Sequence, residues 1–138
     1  MNVQLLFRIT GAALGIQLAL GGLVTFNFID TSPHIVWGVV LFLLALATLA
    51  FVIRMPGRPK PLVGLAAGIV VDIALQALLG FAVLGTSGNA NLSSGIAWVH
   101  FLNSLAIFAM TLMATGMVMA AARMQGGPPA PPPAQPGA

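Results

Sequence analysis

The sequence predicts an all-α membrane protein folded as a bundle of four transmembrane helices, and three of its features support that prediction. Hydrophobic residues make up 59% of the 138 positions and charged residues only 5%, whereas a soluble domain has about 25% charged residues. The apolar residues fall into four stretches, each near the roughly 20 residues that cross a bilayer. Short segments rich in glycine, proline, serine and asparagine separate the stretches. With so few charges, the chain cannot cover a surface that faces water.

The four predicted spans cover about residues 5–28, 33–53, 62–84 and 92–122. Lipid offers no hydrogen-bond partners to the backbone, so each span is expected to be an α-helix. Ser32 and Pro33 suit the start of the second helix, because serine caps helix N-termini and proline fits the first turn. Residues 1–125 are predicted to form one transmembrane domain, and the proline-rich residues 126–138 a cytoplasmic tail without a packed core.

The basic residues predict how the bundle is oriented. All five lie near the N-terminus, in the second connection or at the end of the fourth span: Arg8, Arg54, Arg58, Lys60 and Arg123. Because cytoplasmic loops carry the excess of lysine and arginine, both termini and the second connection are expected in the cytoplasm, with the spans in the cell membrane. Five basic residues are too few for a nucleic-acid surface. The chain has no cysteine, which excludes disulfides and thiolate metal sites.

The two halves of the sequence share a pattern. Gln17 opens a Gln-x-x-Leu-Gly-x-x-Val segment in the first span, and Gln76 opens the same segment in the third. His34 and His100 stand near the starts of the second and fourth spans, and Phe, Leu and Val follow each of them at the same intervals. Their matched order indicates a tandem duplication of a two-helix unit. Such repeats insert with one orientation, which predicts a pseudo-twofold axis along the membrane normal.

The two histidines suggest a cofactor site. They are the only histidines in the chain, and the repeat predicts that they face each other at one level, roughly 30–35 Å from the basic end. Two facing imidazoles can supply both axial ligands of a haem iron. They would leave a bare tetrahedral metal site half empty. The alternatives are interfacial histidines without a cofactor, and a site for another metal or a quinone.

Other polar residues inside the predicted spans have open roles. Gln17 and Gln76 either join helices or hydrogen-bond to a ligand imidazole or to the cofactor. Asp72 lies near the middle of the third span, where a carboxylate must be protonated or paired, with Arg8 or helix hydroxyls as candidate partners. Three aromatic side chains at the level of the histidines are predicted to anchor the bundle at the membrane interface: Trp37, Trp98 and Phe101.

Together these motifs resemble one four-helix half of the haem A synthase family, over about residues 4–122. The resemblance depends on the Gln-x-x-Leu-Gly-x-x-Val segment, the outer loop and the histidine that opens the next span. It implies that His34 and His100 are axial ligands of one haem b. The catalytic half of the family has a glutamate three residues before its first histidine. That position is Thr31 here, and the chain contains no glutamate and no cysteine pair. The chain therefore looks more like the half that holds haem b.

Three functions are compatible with these features. The first is a small membrane b-type cytochrome that transfers electrons or handles haem for a respiratory chain, as a homo-oligomer or as a subunit of a respiratory membrane complex. The second is a half-size haem A synthase that works as a homo-oligomer, with Asp30 in place of the missing glutamate. The third is a structural or assembly subunit without a cofactor. Enzymatic activity is thus left open by the sequence.

Overall fold

The computed structural model describes residues 3–125, which form four helices joined by short turns. Their bounds are α1 Val3–Thr25, α2 Ser32–Arg54, α3 Lys60–Gly85 and α4 Ala90–Gln125. All four are long and apolar enough to cross a membrane, as the composition predicts. α4 has 36 residues, which corresponds to about 54 Å and exceeds the hydrocarbon thickness of a bilayer. The predicted tail, 126–138, lies outside the described residues.

The first helix ends earlier than predicted. α1 stops at Thr25 because Asn27 adopts a left-handed conformation with φ 58°, which asparagine tolerates better than most residues. The amide of Phe28 donates to the carbonyl of Leu23 at 2.9 Å, and that of Asn27 to the carbonyl of Val24 at 3.0 Å. This pair of hydrogen bonds is a Schellman motif. The last residues of the predicted span therefore form a turn.

The start of α2 also differs from its prediction by one residue. The N-cap is Thr31, whose side chain makes no capping hydrogen bond, and Ser32 is already helical. Asp30 instead supplies the cap, because its Oδ1 accepts a 2.7 Å hydrogen bond from the amide of Ser32. A carboxylate at this position also complements the helix dipole. Pro33 lies in the first turn, as predicted.

The helices are arranged in a ring. α1 packs against α2 and α4, and α3 packs against the same two helices. α1 and α3 are therefore diagonal to each other, and so are α2 and α4. The hairpin α1–α2 consequently meets the hairpin α3–α4 along two seams, α2–α3 and α1–α4. The observed four-helix bundle agrees with the predicted fold class.

Burial divides the described bundle into two halves. The basic half is the part of the helices nearer the α2–α3 turn, residues 3–14, 41–54, 60–73 and 107–125. The histidine half is the remainder of the four helices, residues 15–25, 32–40, 74–85 and 90–106. Every fully buried side chain of the described chain lies in the basic half, including Leu6, Phe7, Leu62 and Ile107. The close-packed core therefore occupies one end of the bundle.

Three threonines belong to this core. Thr10, Thr48 and Thr111 are 1–3% exposed. Each hydroxyl donates to the carbonyl four residues earlier in its own helix, at 2.9 Å. Thr10 and Thr48 also contact each other across α1 and α2 at 3.2 Å. The hydroxyls are thus satisfied without water, as buried polar groups require.

Candidate functional site

His34 and His100 face each other in the histidine half. Their ring centroids are 6.2 Å apart, and the ring planes are inclined by 63°. Because α2 and α4 are diagonal in the ring of helices, the two imidazoles meet across the centre of the bundle. Nδ1 of each ring is buried and has no hydrogen-bond partner among the described residues. The structure therefore brings together the two histidines that the repeat predicts as a pair.

Gln17 lies against His34. Its Nε2 donates to the backbone carbonyl of His34 at 3.2 Å and lies 3.4 Å from Nε2 of the imidazole. The Oε1 atom of Gln17 is buried without a hydrogen-bond partner in the described chain. A Cβ at Gly38, one turn after His34, would lie 3.3 Å from this amide nitrogen. Gly38 therefore leaves room for an amide that links α1 to α2.

Gln76 makes a fuller set of contacts at His100. Its Nε2 donates to the His100 carbonyl at 2.8 Å and also to Oγ of Ser104. Its Oε1 accepts a 3.0 Å hydrogen bond from Nδ2 of Asn103. Asn103 donates in addition to the backbone carbonyl of Asp72 at 3.2 Å. Both ends of the Gln76 amide are thus satisfied, whereas only the nitrogen end of the Gln17 amide is.

A side chain three residues after each histidine links its helix to the preceding one. Trp37 follows His34, and its indole Nε1 donates to the carbonyl of Ala13 at 2.8 Å. Asn103 follows His100 and donates to the Asp72 carbonyl. Each acceptor lies four residues before the glutamine of its hairpin. This link was not predicted, although aligning the two hairpins on their histidines places an N–H donor at the same position in both.

The aromatic residues predicted as interfacial anchors therefore have different surroundings. Trp37 is half-buried and hydrogen-bonded inside the bundle, so it joins helices. Trp98 is 65% exposed on α4, where its ring packs edge-on against Phe101 with centroids 6.0 Å apart. The exposed pair remains the better candidate for an anchor at the membrane interface.

Two glycines let the imidazoles approach the neighbouring helices. A Cβ at Gly21 would lie 3.1 Å from Cε1 of His34, and a Cβ at Gly80 would lie 3.3 Å from Cε1 of His100. Both distances are shorter than an ordinary van der Waals contact. A Cβ at the adjacent Gly22 would meet no described atom within 4 Å. Because Gly21 and Gly80 have no Cβ, the edges of the two rings can pack against the backbone at these positions.

Asp72 has a half-buried side chain near the middle of α3. Its carboxylate has no hydrogen-bond or ion-pair partner within residues 3–125. Only its backbone carbonyl accepts a hydrogen bond, from Asn103. The expected pairing with Arg8 or with a helix hydroxyl is therefore not found in this part of the chain.

The two imidazoles are candidate metal ligands, and their nitrogens lie close to the preceding helix of each hairpin. A Cβ at Gly21 would lie 3.6 Å from Nδ1 and 3.9 Å from Nε2 of His34, and a Cβ at Gly80 would lie 3.8 Å from Nδ1 of His100. No group of three or more His, Cys, Asp or Glu side chains within residues 3–125 could hold a bare metal ion. A haem supplies four nitrogens of its own and needs two protein ligands. The donor set therefore fits haem better than an isolated cation.

Comparison with known proteins yields no match: no family model matches the chain, and no curated protein or solved structure is significantly similar to it.

Proposed function

We propose that the chain is a membrane haem protein in which His34 and His100 are the two axial ligands of one haem b. The observation that carries this proposal is the pair of facing imidazoles, 6.2 Å apart, whose buried Nδ1 atoms have no partner in the described chain. Buried polar atoms without partners cost free energy. A metal coordinated by the two imidazoles would use ring nitrogens for which the described chain offers no partner.

The surroundings of the histidines support this proposal. A macrocycle is flat and apolar, and it needs space between helices. The histidine half contains no fully buried side chain, so separating its helices would disrupt less close packing than in the basic half. Gly21 and Gly80 have no side chain that would oppose a movement of the imidazole edges, which lie against them. When bound, a haem of this type supplies one-electron oxidation and reduction, and the chain's part is to hold and orient it away from water.

Gln17 and Gln76 have a positioning role in this proposal. Gln76, with Ser104 and Asn103, fixes the backbone of α4 at His100. Gln17 fixes α2 at the carbonyl of His34 and lies close to its ring. The first glutamine can therefore act on the imidazole itself, whereas the second acts through the helix. Haem propionates would reach the rim of the histidine half, where the available partners are polar but uncharged: Ser32, Asn91, Ser93 and Ser94.

We also propose that the two hairpins arose by duplication and are related by a pseudo-twofold axis. Three contacts recur at matched positions: glutamine to the histidine carbonyl, the donor three residues after the histidine, and glycine against the imidazole edge. Buried positions recur as well, because Leu41, Ala45 and Thr48 correspond to Ile107, Thr111 and Ala114. Recurrence of both kinds is expected of a repeat and is not expected between unrelated hairpins.

The resemblance to one half of the haem A synthase family supports the same function, namely electron transfer or haem handling for a respiratory chain. The distribution of basic residues favours termini in the cytoplasm and the histidine half towards the outer face of the cell membrane. The proposed partners are further copies of the chain or the subunits of a respiratory membrane complex.

The enzyme alternative has less support from the site. A half-size haem A synthase would need Asp30 to replace the family's glutamate. The Asp30 carboxylate is exposed and caps α2 through the amide of Ser32, which is a structural use. The cofactor-free alternative is favoured by a different observation: both glutamine amides bond to backbone carbonyls of the histidines, as residues that only join helices would.

Absorption spectra of the purified protein test the proposal. The chain in detergent is supplemented with haem, and spectra are recorded in the oxidised and reduced states. We expect a reduced α-band near about 560 nm, typical of low-spin haem with two imidazole ligands. His34→Ala and His100→Ala are each expected to abolish it or convert it to a high-spin spectrum, whereas Trp98→Phe, on the exposed face of α4, leaves it unchanged.

A helical but colourless protein, with both histidine variants behaving like the parent, would refute the haem site and leave the structural subunit as the better account. If haem binds, conversion of haem O to haem A by the loaded protein separates the enzyme from the cytochrome. The Asp30→Asn variant serves as the matched control for that assay, because it preserves shape while removing the carboxylate.

A further inference from the structure

A shallow groove lies at the basic end of the bundle, beside the turn between α2 and α3. Its lining consists of Gly57, Arg58, Lys60, Val63 and Gly64. Gly57 has φ 64°, a conformation that glycine adopts without strain, and it turns the chain so that two exposed cationic side chains follow. The groove thus combines two positive charges with an apolar floor.

No acidic group of the described chain neutralises these charges. The whole sequence has two acidic residues, Asp30 and Asp72. Asp30 lies in the connection at the opposite end of the bundle, and Asp72 lies twelve residues along α3 from Lys60, about 18 Å away at 1.5 Å per residue. The groove also stands at the N-terminus of α3, where the helix dipole favours anions. Pro61 has no N–H, and the Leu62 N–H is bonded to the Pro59 carbonyl, so the two cationic side chains are the main donors to an anion. The electrostatic potential of the groove is therefore positive and uncompensated.

The apolar part of the groove continues along α3. Val63 is half-buried against the core, and Gly64 is exposed one residue further on. Nothing lies within 4 Å of a Cβ built at Gly64, so an open strip runs from the two cations onto the membrane-facing side of the helix. A ligand with an anionic head and a hydrocarbon chain would match both parts.

We propose that this groove binds one anionic phospholipid, with its phosphate between Arg58 and Lys60 and an acyl chain along Val63 and Gly64. α3 is long and apolar enough to cross a membrane, and basic grooves at the membrane surface select anionic head groups. Free phosphate shares the charge and the acceptor oxygens of the head group, but it has no hydrocarbon chain to contact the apolar strip. This site is separate from the histidines and does not depend on the proposed haem.

Native mass spectrometry of the full-length protein, delipidated in detergent and titrated with phosphatidylglycerol or phosphatidylcholine, tests the proposal. We expect preferential binding of one phosphatidylglycerol. The double variant Arg58→Gln, Lys60→Gln is expected to weaken that binding about 10- to 30-fold. Arg123→Gln is the matched control, because Arg123 is an exposed cation in the last turn of α4 and does not line the groove.

The variant Gly64→Leu separates the lipid from a soluble anion. A Cβ at this position meets nothing within 4 Å, and the leucine side chain would occupy the open strip. The variant is therefore expected to weaken phosphatidylglycerol binding several-fold while leaving the weak binding of inorganic phosphate unchanged. If Arg123→Gln weakens binding as much per charge removed as the double variant does, only diffuse charge attracts the lipid, and the proposal is overturned. The double variant could instead weaken only the binding of inorganic phosphate, with Gly64→Leu binding phosphatidylglycerol like the parent. That result would overturn the proposal in favour of a soluble phosphate ligand.

Discussion

The basic half and the histidine half of the bundle are made of the same four helices, yet they are packed in different ways. The basic half contains all the fully buried side chains of the described chain, most of them aliphatic. The histidine half contains none, but four of its side chains donate hydrogen bonds between helices: Gln17, Trp37, Gln76 and Asn103. Two of the acceptors, the carbonyls of Ala13 and Asp72, lie at the edge of the basic half. One half is joined by close packing and the other by a few polar links.

This difference shows that close packing and polar contacts are separated along the length of the helices. A close-packed interior tolerates little change in volume. Polar contacts join the helices of the histidine half without a close-packed core. A bundle that keeps its core at one end can therefore hold a site at the other without sacrificing its fold. Four sets of substitutions test the contrast between the two halves, in order of decreasing expected change.

Removing a large side chain from the basic half should have the largest effect. Phe7 is 1% exposed, and Phe7→Ala is expected to lower the free energy of unfolding by about 2–3 kcal/mol, mainly through the cavity that it leaves. Phe81→Ala is the matched control in the histidine half, because Phe81 is 60% exposed, and it should change stability by less than about 0.5 kcal/mol. Reversible unfolding in mixed detergent micelles measures both. Equal losses would contradict the division into two halves.

Within the histidine half, loss of Gln76 should cost more than loss of Gln17. Gln76→Leu removes three hydrogen bonds between α3 and α4 and leaves the Asn103 amide without one of its acceptors, with an expected cost of about 1–2 kcal/mol. Gln17→Leu removes the hydrogen bond to the His34 carbonyl and also a buried oxygen that has no partner in the described chain. The expected loss in free energy of unfolding is about 0.5 kcal/mol. The same unfolding assay compares them. The reverse order would show that Gln17 has a partner beyond the described contacts.

A methyl group at Gly21 should act on the histidine more than on stability. The new Cβ would lie 3.1 Å from Cε1 of His34, so the ring must shift, while the better helix propensity of alanine, about 1 kcal/mol, offsets part of the strain. We expect Gly21→Ala to move the His34 imidazole resonances in NMR spectra of histidine-labelled protein. Gly22→Ala, which meets open space, should leave them in place. Unmoved resonances in both variants would refute the contact.

The smallest effect is expected from the core threonines. Thr10 and Thr48 contact each other at 3.2 Å, but each hydroxyl is already bonded within its own helix. The double variant Thr10→Val, Thr48→Val keeps the volume and removes both partners together, so stability should change by less than about 0.5 kcal/mol. A thermal unfolding midpoint within a few degrees of the parent would agree. A loss above about 2 kcal/mol would mean that polar links matter in the basic half too.

The sequence predicted the four spans, their order and the pairing of the histidines, because length, breakers and rare polar residues are visible along the chain. It did not predict which end is packed. Leu62 is 1% exposed and Leu78 is 67% exposed, on one helix, and their types are identical. In lipid the outward face of a helix is also apolar, so no polar stripe marks the buried side.

Contacts to backbone atoms were equally hidden from the sequence. Trp37 was predicted at an interface, and its bond to the Ala13 carbonyl depends on how closely α1 and α2 approach. The Asp30 cap and the left-handed Asn27 depend on local geometry at a turn, where neighbouring choices of boundary differ little in energy. The rarity of glutamine and histidine indicated the candidate site from the sequence. The hydrogen bonds of these side chains could be identified only from the structure.

The closed ring of helices has a consequence for the continuity of the chain. The two hairpins meet along both seams, but only one seam is crossed by a covalent connection, the turn that includes Gly57. Cutting there leaves each hairpin whole, with one histidine, the glutamine that contacts its carbonyl, and its own contacts between helices. Two separately synthesised fragments should therefore associate in the membrane and form the same bundle. The stability of that bundle would depend on the concentration of the fragments. The turn therefore keeps the two hairpins close together, while the contacts between helices determine the fold.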